Sequence, residues 1–457
     1  GNSAVSTNNT AVGHLAGTAV TTGTDNTLIG GLAGDALTNA GDNVAIGTAA
    51  LSSDTLGSHT VAIGKNALFA QNFTTATDSN NTAVGHHAGI AVTTGINNTI
   101  IGGLAGDAFT DADRNVAIGT QALSADTLGS KSIAIGDAAL RTQNFTTATD
   151  TFNVAVGHNA GLAVTTGVEN TLVGGLAGDA LTVGFQNVAL GYLALSQAVG
   201  SCTNVAIGTA ALTTANAGNS AVSTNNTAVG HLAGTAVTTG INNTFIGAAS
   251  GDAITVGVGN VAIGYNSLTA DDVGSENTAV GVGALASQNA PGNSSNAMEN
   301  TAIGHSSGTA IVEGHHNTLV GGNSGDGIVE GVGNICIGRG ADTAASDTGN
   351  GICIGIDITA AANDFSFGKA SNVVTNDFDA DAAFSRASDQ RLKTNVANAT
   401  LGLDFIKDLR PVTYRWKASA DLDANDAELA HLRVADADDN IINHMTTDVT
   451  MHGLIAQ

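Results

Sequence analysis

The chain has 457 residues, a formal net charge of −25, 60 Gly against 2 Pro, and only 4% aromatic residues. Glycine at this level without proline or a three-residue period excludes collagen, and an apolar fraction of 42% excludes a disordered chain. The acidity argues against nucleic acid or an anionic membrane as a partner, and the lack of any long apolar run argues against membrane insertion.

Only Lys65, Arg114, Lys131, Arg141 and Arg339 carry positive charge before Lys369, so most of the chain is acidic and poor in cations. It opens on Gly1 inside a repeat and is therefore expected to be a fragment, with any attachment segment upstream. From there to about residue 368 one phrase recurs, in the forms Asn-Thr-Ala-Val-Gly, Asn-Thr-Leu-Ile-Gly and Asn-Val-Ala-Ile-Gly. Its glycines fall at Gly13, Gly30, Gly47 and Gly64, then at Gly85, Gly102, Gly119 and Gly136, with 17 residues per step and a longer fourth step. Continued to Gly355, this makes twenty coils in five blocks of four.

A 17-residue unit is too short for a helical hairpin and suits one turn of a parallel β-solenoid, in an all-β shaft over residues 1–368. Val44 and Ile46 alternate with Ala45 and Gly47, the period of a strand, and neither set is charged. One face is expected to fill the coil and the other, rich in Ala, to pack on a neighbouring chain. Asn before the strand and Gly after it read as turn residues, and Thr18-Ala19-Val20-Thr21-Thr22 as a return strand. Twenty stacked coils would make a rod of roughly 95 Å.

The phrases at 43–50 and 60–67 resemble the head repeats of trimeric autotransporter adhesins, which form a left-handed parallel β-roll assembled as a trimer. Those heads repeat at a shorter interval, and phage fibres use a similar style, so the repeat alone does not choose between bacterium and phage.

Several recurring polar residues call for weighing. His14, His86, His158, His231 and His305 follow the first glycine of each block and read as exposed turn histidines. Asp35, Asp107, Asp179, Asp252 and Asp326 read as turn caps, with calcium as the alternative. The longer steps at 65–84, 137–156, 209–229 and 282–303 either contribute a receptor-facing surface or merely widen every fourth coil. Cys336 and Cys353 sit in Ile-Cys-Ile-Gly where other coils have Ala, and read as buried thiols. No metal, cofactor or turnover active site is predicted in the shaft.

Residues 369–387 read as a stem, and a different domain begins at Ser388. Leu401, Phe405 and Leu409 fit a short amphipathic helix stopped by Pro411, followed by a strand from Val412 to Lys417, in a small α+β domain over 388–457. Three blocks of this segment are Ser388-Asp389-x-Arg391-Leu392-Lys393, Leu409-Arg410-Pro411-Val412-x-Tyr414-x-Trp416-Lys417 and His452-Gly453-Leu454-Ile455-Ala456-Gln457. They resemble the self-cleaving intramolecular chaperone of endosialidase-type phage tailspikes and fibres.

That resemblance implies a homotrimer, folding assistance to the shaft, and autocatalytic release, with Ser388 as nucleophile and Lys393 as general base. Cleavage falls at Ser388-Asp389 or on its other side. Asp389, Arg391, Leu392, Pro411, Trp416, Gly453 and Gln457 carry the motif. The family continues past the position of Gln457, so the domain is expected to be incomplete at its C-terminus.

The implied protein is a virion tail fibre or tailspike. Its expected partners are upstream tail proteins and a host-surface glycan or protein receptor. The alternatives are a bacterial trimeric surface adhesin and a glycan-degrading tailspike enzyme.

Overall fold

The computed structural model describes residues 6–379 except 217 and 293–294, and beyond them the strands Pro411–Tyr414 and Met451–Leu454. The chain divides into two compact units, Gly1–Ala382 and Ala383–Gln457. The described residues contain strands and turns and no helix. The predicted helix over Leu401, Phe405 and Leu409 lies outside them.

The first unit is the β-solenoid that the repeat predicts. One sheet of 22 strands runs through it, and all but its last strand are parallel. Each rung pairs in register with the next, as in Val44↔Val61, Ala45↔Ala62 and Ile46↔Ile63. The 17-residue offset gives way to 21 at Val61↔Thr82, 22 at Val205↔Thr227 and 23 at Thr278↔Thr301. The surplus residues of each fourth coil add a second short pairing, such as Gly57–Ser58 with Thr77–Asp78. A shortened turn through Asp364–Lys369 ends the stack. The antiparallel strand Asn372–Asp377, in the stretch read as stem, then covers its last edge.

Three expectations about the coil need correction. The Ala face of the strand points inward. Ala45, Ala62, Ala83 and Ala117 are fully buried, while the flanking Val and Ile are half-buried or exposed on the outside. A coil this short encloses little volume, so the small side chain occupies the interior and the β-branched ones stand outside.

The return path is not a strand. Residues 13–19 form tight turns with Leu15 and Gly17 at positive φ. Their amides nevertheless bond upward to the next coil, Gly17 N to Ala33 O at 3.0 Å and Ala19 N to Asp35 O at 3.1 Å.

The Asn that precedes most strands is not a surface turn residue either. Asn26, Asn43, Asn98 and Asn115 are completely buried. It is the residue one place earlier, such as Asp25, Asp42 or Asn97, that takes the left-handed conformation. Asn43 Nδ2 donates to Gly57 O at 2.9 Å, and its Oδ1 accepts the amide of Thr60 at 2.9 Å. The same pair of bonds recurs at Asn98, Asn170, Asn243 and Asn317.

Glycine ends each strand because nothing else fits. At Gly47, φ is +135° and a Cβ would lie 2.5 Å from the carbonyl oxygen of Gly64 in the next rung.

Side-chain volume explains the four-coil block. In the second coil of each block the inward strand residue is large (Leu28, Ile100, Leu172, Phe245 or Leu319), and a glycine faces it. A Cβ on Gly178 would come within 2.9 Å of Leu172 Cδ2, and one on Gly251 within 2.4 Å of Phe245. In the third and fourth coils of the first four blocks the strand carries Ala and the facing position carries Leu, as with Leu51, Leu68, Leu123 and Leu140. These leucines accept φ near that of the glycines they replace, 55° at Leu51 against 58° at Gly178.

The first coil has small residues at both sites and is filled from its neighbours. A Cβ at Gly89 would meet Ile100 Cδ1 at 2.9 Å and Leu68 Cδ2 at 3.0 Å. Volume is thus shared across adjacent rungs.

The exchange is testable at one coil. Leu172→Ala alone leaves a cavity and is expected to cost about 2–5 kcal/mol. Gly178→Leu alone overpacks the same space. The double variant recreates a third-coil interior and should unfold at a temperature closer to wild type than either single change. Additive losses in the double variant would contradict this packing account.

Candidate functional site

Four features of the described residues could carry function. The first is the outer strand face. Its leading position holds Thr, Val or Ile (Phe365 in the last rung), and its third position is aliphatic or Phe in every rung from Val12 to Phe367. Neither column contains a charged residue. Ile101, Ile135, Leu190, Ile303 and Ile354 are 37–45% exposed, so the third-position column forms an uninterrupted apolar line along the unit, flanked by the uncharged Thr, Val and Ile column. Continuous apolar strips of this size mark interaction surfaces.

The second feature is the set of turn columns. His14, His86, His158, His231 and His305 are all exposed, as the sequence predicts. His86 stacks on His87 at 3.8 Å, and His158 Nδ1 lies 3.3 Å from Asp137. The Asp column does not cap turns uniformly. Asp252 accepts a bond from Thr269 at 2.5 Å and Asp326 one from Asn323 at 3.0 Å. Asp35, Asp107 and Asp179 each leave Oδ1 buried without a partner. Among the described residues no group of three or more His, Cys, Asp or Glu is placed to hold a metal.

The third feature is the longer fourth coils, whose inner parts fold back. Phe73 and Phe145 are buried, while the tips at 74–76 and 146–148 are exposed. These coils close over a carboxylate that sequence reasoning missed. Asp126 is fully buried, its Oδ1 accepting the amides of Gly129 at 3.0 Å and Phe145 at 3.2 Å. Its Oδ2 accepts Gln143 Nε2 at 2.6 Å, and Gln143 Oε1 accepts Asn153 Nδ2 at 2.9 Å. Asp54 with Gln71 and Asp271 with Gln288 repeat the arrangement.

In the third block both partners are replaced together, by Ala198 and Ala215. That paired exchange was the signal available in the sequence. Burial pushes the Asp126 and Asp271 carboxyls above the ordinary carboxylate range, against the opposing pull of the Gln and backbone donors.

The fourth feature is the C-terminal unit. Ser388, Lys393, Asp389, Arg391, Leu392, Trp416 and Gln457 lie outside the described residues. Two of the three motif blocks do meet. Pro411–Tyr414 and Met451–Leu454 are antiparallel neighbours, with Pro411 opposite Leu454 and Val412 opposite Gly453. Segments about forty residues apart in sequence therefore share one sheet.

With that geometry in view, comparison with known families gives a match at the C-terminal end of the chain. Residues 388–457 match the family described as chaperone of endosialidase. Comparison with curated proteins gives no match. A β-solenoid followed by a segment of this type fits a tail-fibre-like protein with a chaperone at its C-terminus. Among the described residues no helix is long and apolar enough to cross a membrane.

The buried carboxyls give a pH prediction. A carboxyl whose pKa is higher in the folded state penalises folding once ionised, and the penalty is relieved as pH falls through the folded value towards about 4. The unfolding temperature should therefore hold up better as pH falls from about 7 towards 4 in wild type than in a variant with Asp126, Gln143, Asp271 and Gln288 all replaced by Ala. That variant copies the third block. Parallel pH profiles would contradict the assignment.

Proposed function

We propose that this chain is the shaft and C-terminal junction of a homotrimeric phage tail fibre or tailspike. It would be carried on the virion, attached to other tail proteins upstream, and engaged with a host-surface glycan or protein receptor. The observation that carries this reading is the endosialidase-chaperone match, which begins at Ser388 close behind the solenoid.

The aliphatic outer face supports the trimer. A strip about 95 Å long and about 10 Å wide covers on the order of 900 Å², against the roughly 800 Å² per partner of a stable interface. Packing three copies on these faces would leave the exposed histidines and the loop tips at 74–76 and 146–148 available to a receptor.

In the C-terminal segment we assign Ser388 as nucleophile and Lys393 as its base. A desolvated, neutral lysine amine takes the hydroxyl proton as Ser388 Oγ attacks a neighbouring peptide carbonyl. The departing amine collects that proton, and water then hydrolyses the ester. Such cleavage would follow assembly and make it kinetically hard to reverse. Asp389, Arg391, Pro411 and Gly453 belong to the scaffold of this domain.

The test is expression with a complete C-terminal domain, read by intact-mass measurement. Wild type should give two fragments meeting at Ser388, and Ser388→Ala one full-length species. One uncut species from both would remove the protease assignment.

A further inference from the structure

We propose that Cys336 and Cys353 are a disulfide site that staples two neighbouring rungs near the C-terminal end of the shaft. The two residues are direct register partners in the parallel ladder Ile335–Ile337 and Ile352–Ile356. Both are fully buried and point into the coil, in the column that holds Leu319 one rung earlier and Ser366 one rung later. Register partners on adjacent strands have Cα atoms about 4.8 Å apart. That lies within the roughly 4.4–6.8 Å span a disulfide bridges.

The thiols also address each other. The adjacent Cys353 thiol, and after it burial, hold the Cys336 thiol above its ordinary pKa. Cys353 Sγ lies 3.1 Å from Asp342 O. The third cysteine, Cys202, is buried elsewhere, with its sulfur taken by the Phe185 amide at 3.4 Å, and serves as an internal control.

The chemistry balances with a peroxide as oxidant. One thiol loses its proton, and the thiolate attacks hydrogen peroxide to give a sulfenic acid and hydroxide, which takes up that proton as water. The second thiol displaces the sulfenic hydroxyl as a second water and closes the S–S bond, so two thiols and one peroxide give one disulfide and two waters. A low-molecular-weight disulfide reaches the same product by exchange while the coils are still open. In the finished rung pair the protonated, buried thiols react slowly. The bond closes a covalent hoop around one complete turn. A slip of one rung is then impossible at this end, whatever the function of the whole chain.

The experiment uses the full chain by two routes: the folded protein held in hydrogen peroxide, and the urea-unfolded protein refolded with oxidised and reduced glutathione. Each product is alkylated under denaturing conditions and digested. The expected result is one linked peptide pair containing Cys336 and Cys353, a mass loss of two hydrogens, and Cys202 still alkylated. Cys353→Ala should abolish the link. The linked form should unfold at a higher temperature than the reduced form, a difference erased by a thiol reductant. The proposal is overturned if all three thiols survive both routes. It is equally overturned if Cys202 joins either partner as often as they join each other, or if Cys336 and Cys353 oxidise separately to sulfinic acids.

Discussion

Most coils of the shaft are tied to a neighbour through a buried asparagine, with Thr60, Ser132 and Gly351 standing at that position in the exceptions. Asn43 takes an amide from one adjoining rung and gives a hydrogen bond to a carbonyl, so two backbone groups that the sharp corner would strand are satisfied. The asparagine has both a donor and an acceptor on a short stem, which is what this corner needs. The glycine at the other end of the strand lets the rungs close to the ladder spacing. Between these two fixed points only three strand residues remain, and the rest of the coil is accommodated by turns.

That constraint sets how much the sequence could disclose. The 17-residue period, the strand in each phrase, the longer fourth steps and the end of the repeat near Phe367 and Gly368 were all legible, because spacing alone carries them. Orientation was not. Alternation shows that Val44 and Ile46 share one face and Ala45 the other, but which face is inside depends on the width of the coil, and no local pattern reports it. The asparagine was misplaced for a related reason. Its usual home is an exposed turn, and here the left-handed position falls one residue earlier. The four-coil block could have been read from the pairing of Leu28 with Gly34 and of Ala45 with Leu51, had volumes been compared across each turn. In the C-terminal segment the three motif blocks were visible as sequence. Their adjacency at Val412 and Gly453 is long-range and needed the fold.

The same bonds that make the rungs stable make them interchangeable. Asn98 would be satisfied by almost any neighbouring coil, and residues 1–23 and 218–240 are identical. Volume sharing between coils and the Asp126–Gln143 pair narrow the choice within a block. A shift by a whole block offers nearly the same partners again. In the proposed trimer, three chains that must start level would need information that repeated rungs do not carry, and non-local pairing of this kind folds slowly. A terminal unit that associates first would supply it, and the aliphatic outer face would then close rung by rung from that end.

The most direct test is to delete residues 383–457 and measure the mass of the remaining shaft by analytical ultracentrifugation beside the full chain. The account predicts discrete trimers for the full chain, and monomers, mixed stoichiometries or aggregates for the truncated one. A clean, homogeneous trimer formed by the truncated shaft at a comparable rate would show that the rungs find their own phase, and would contradict the account.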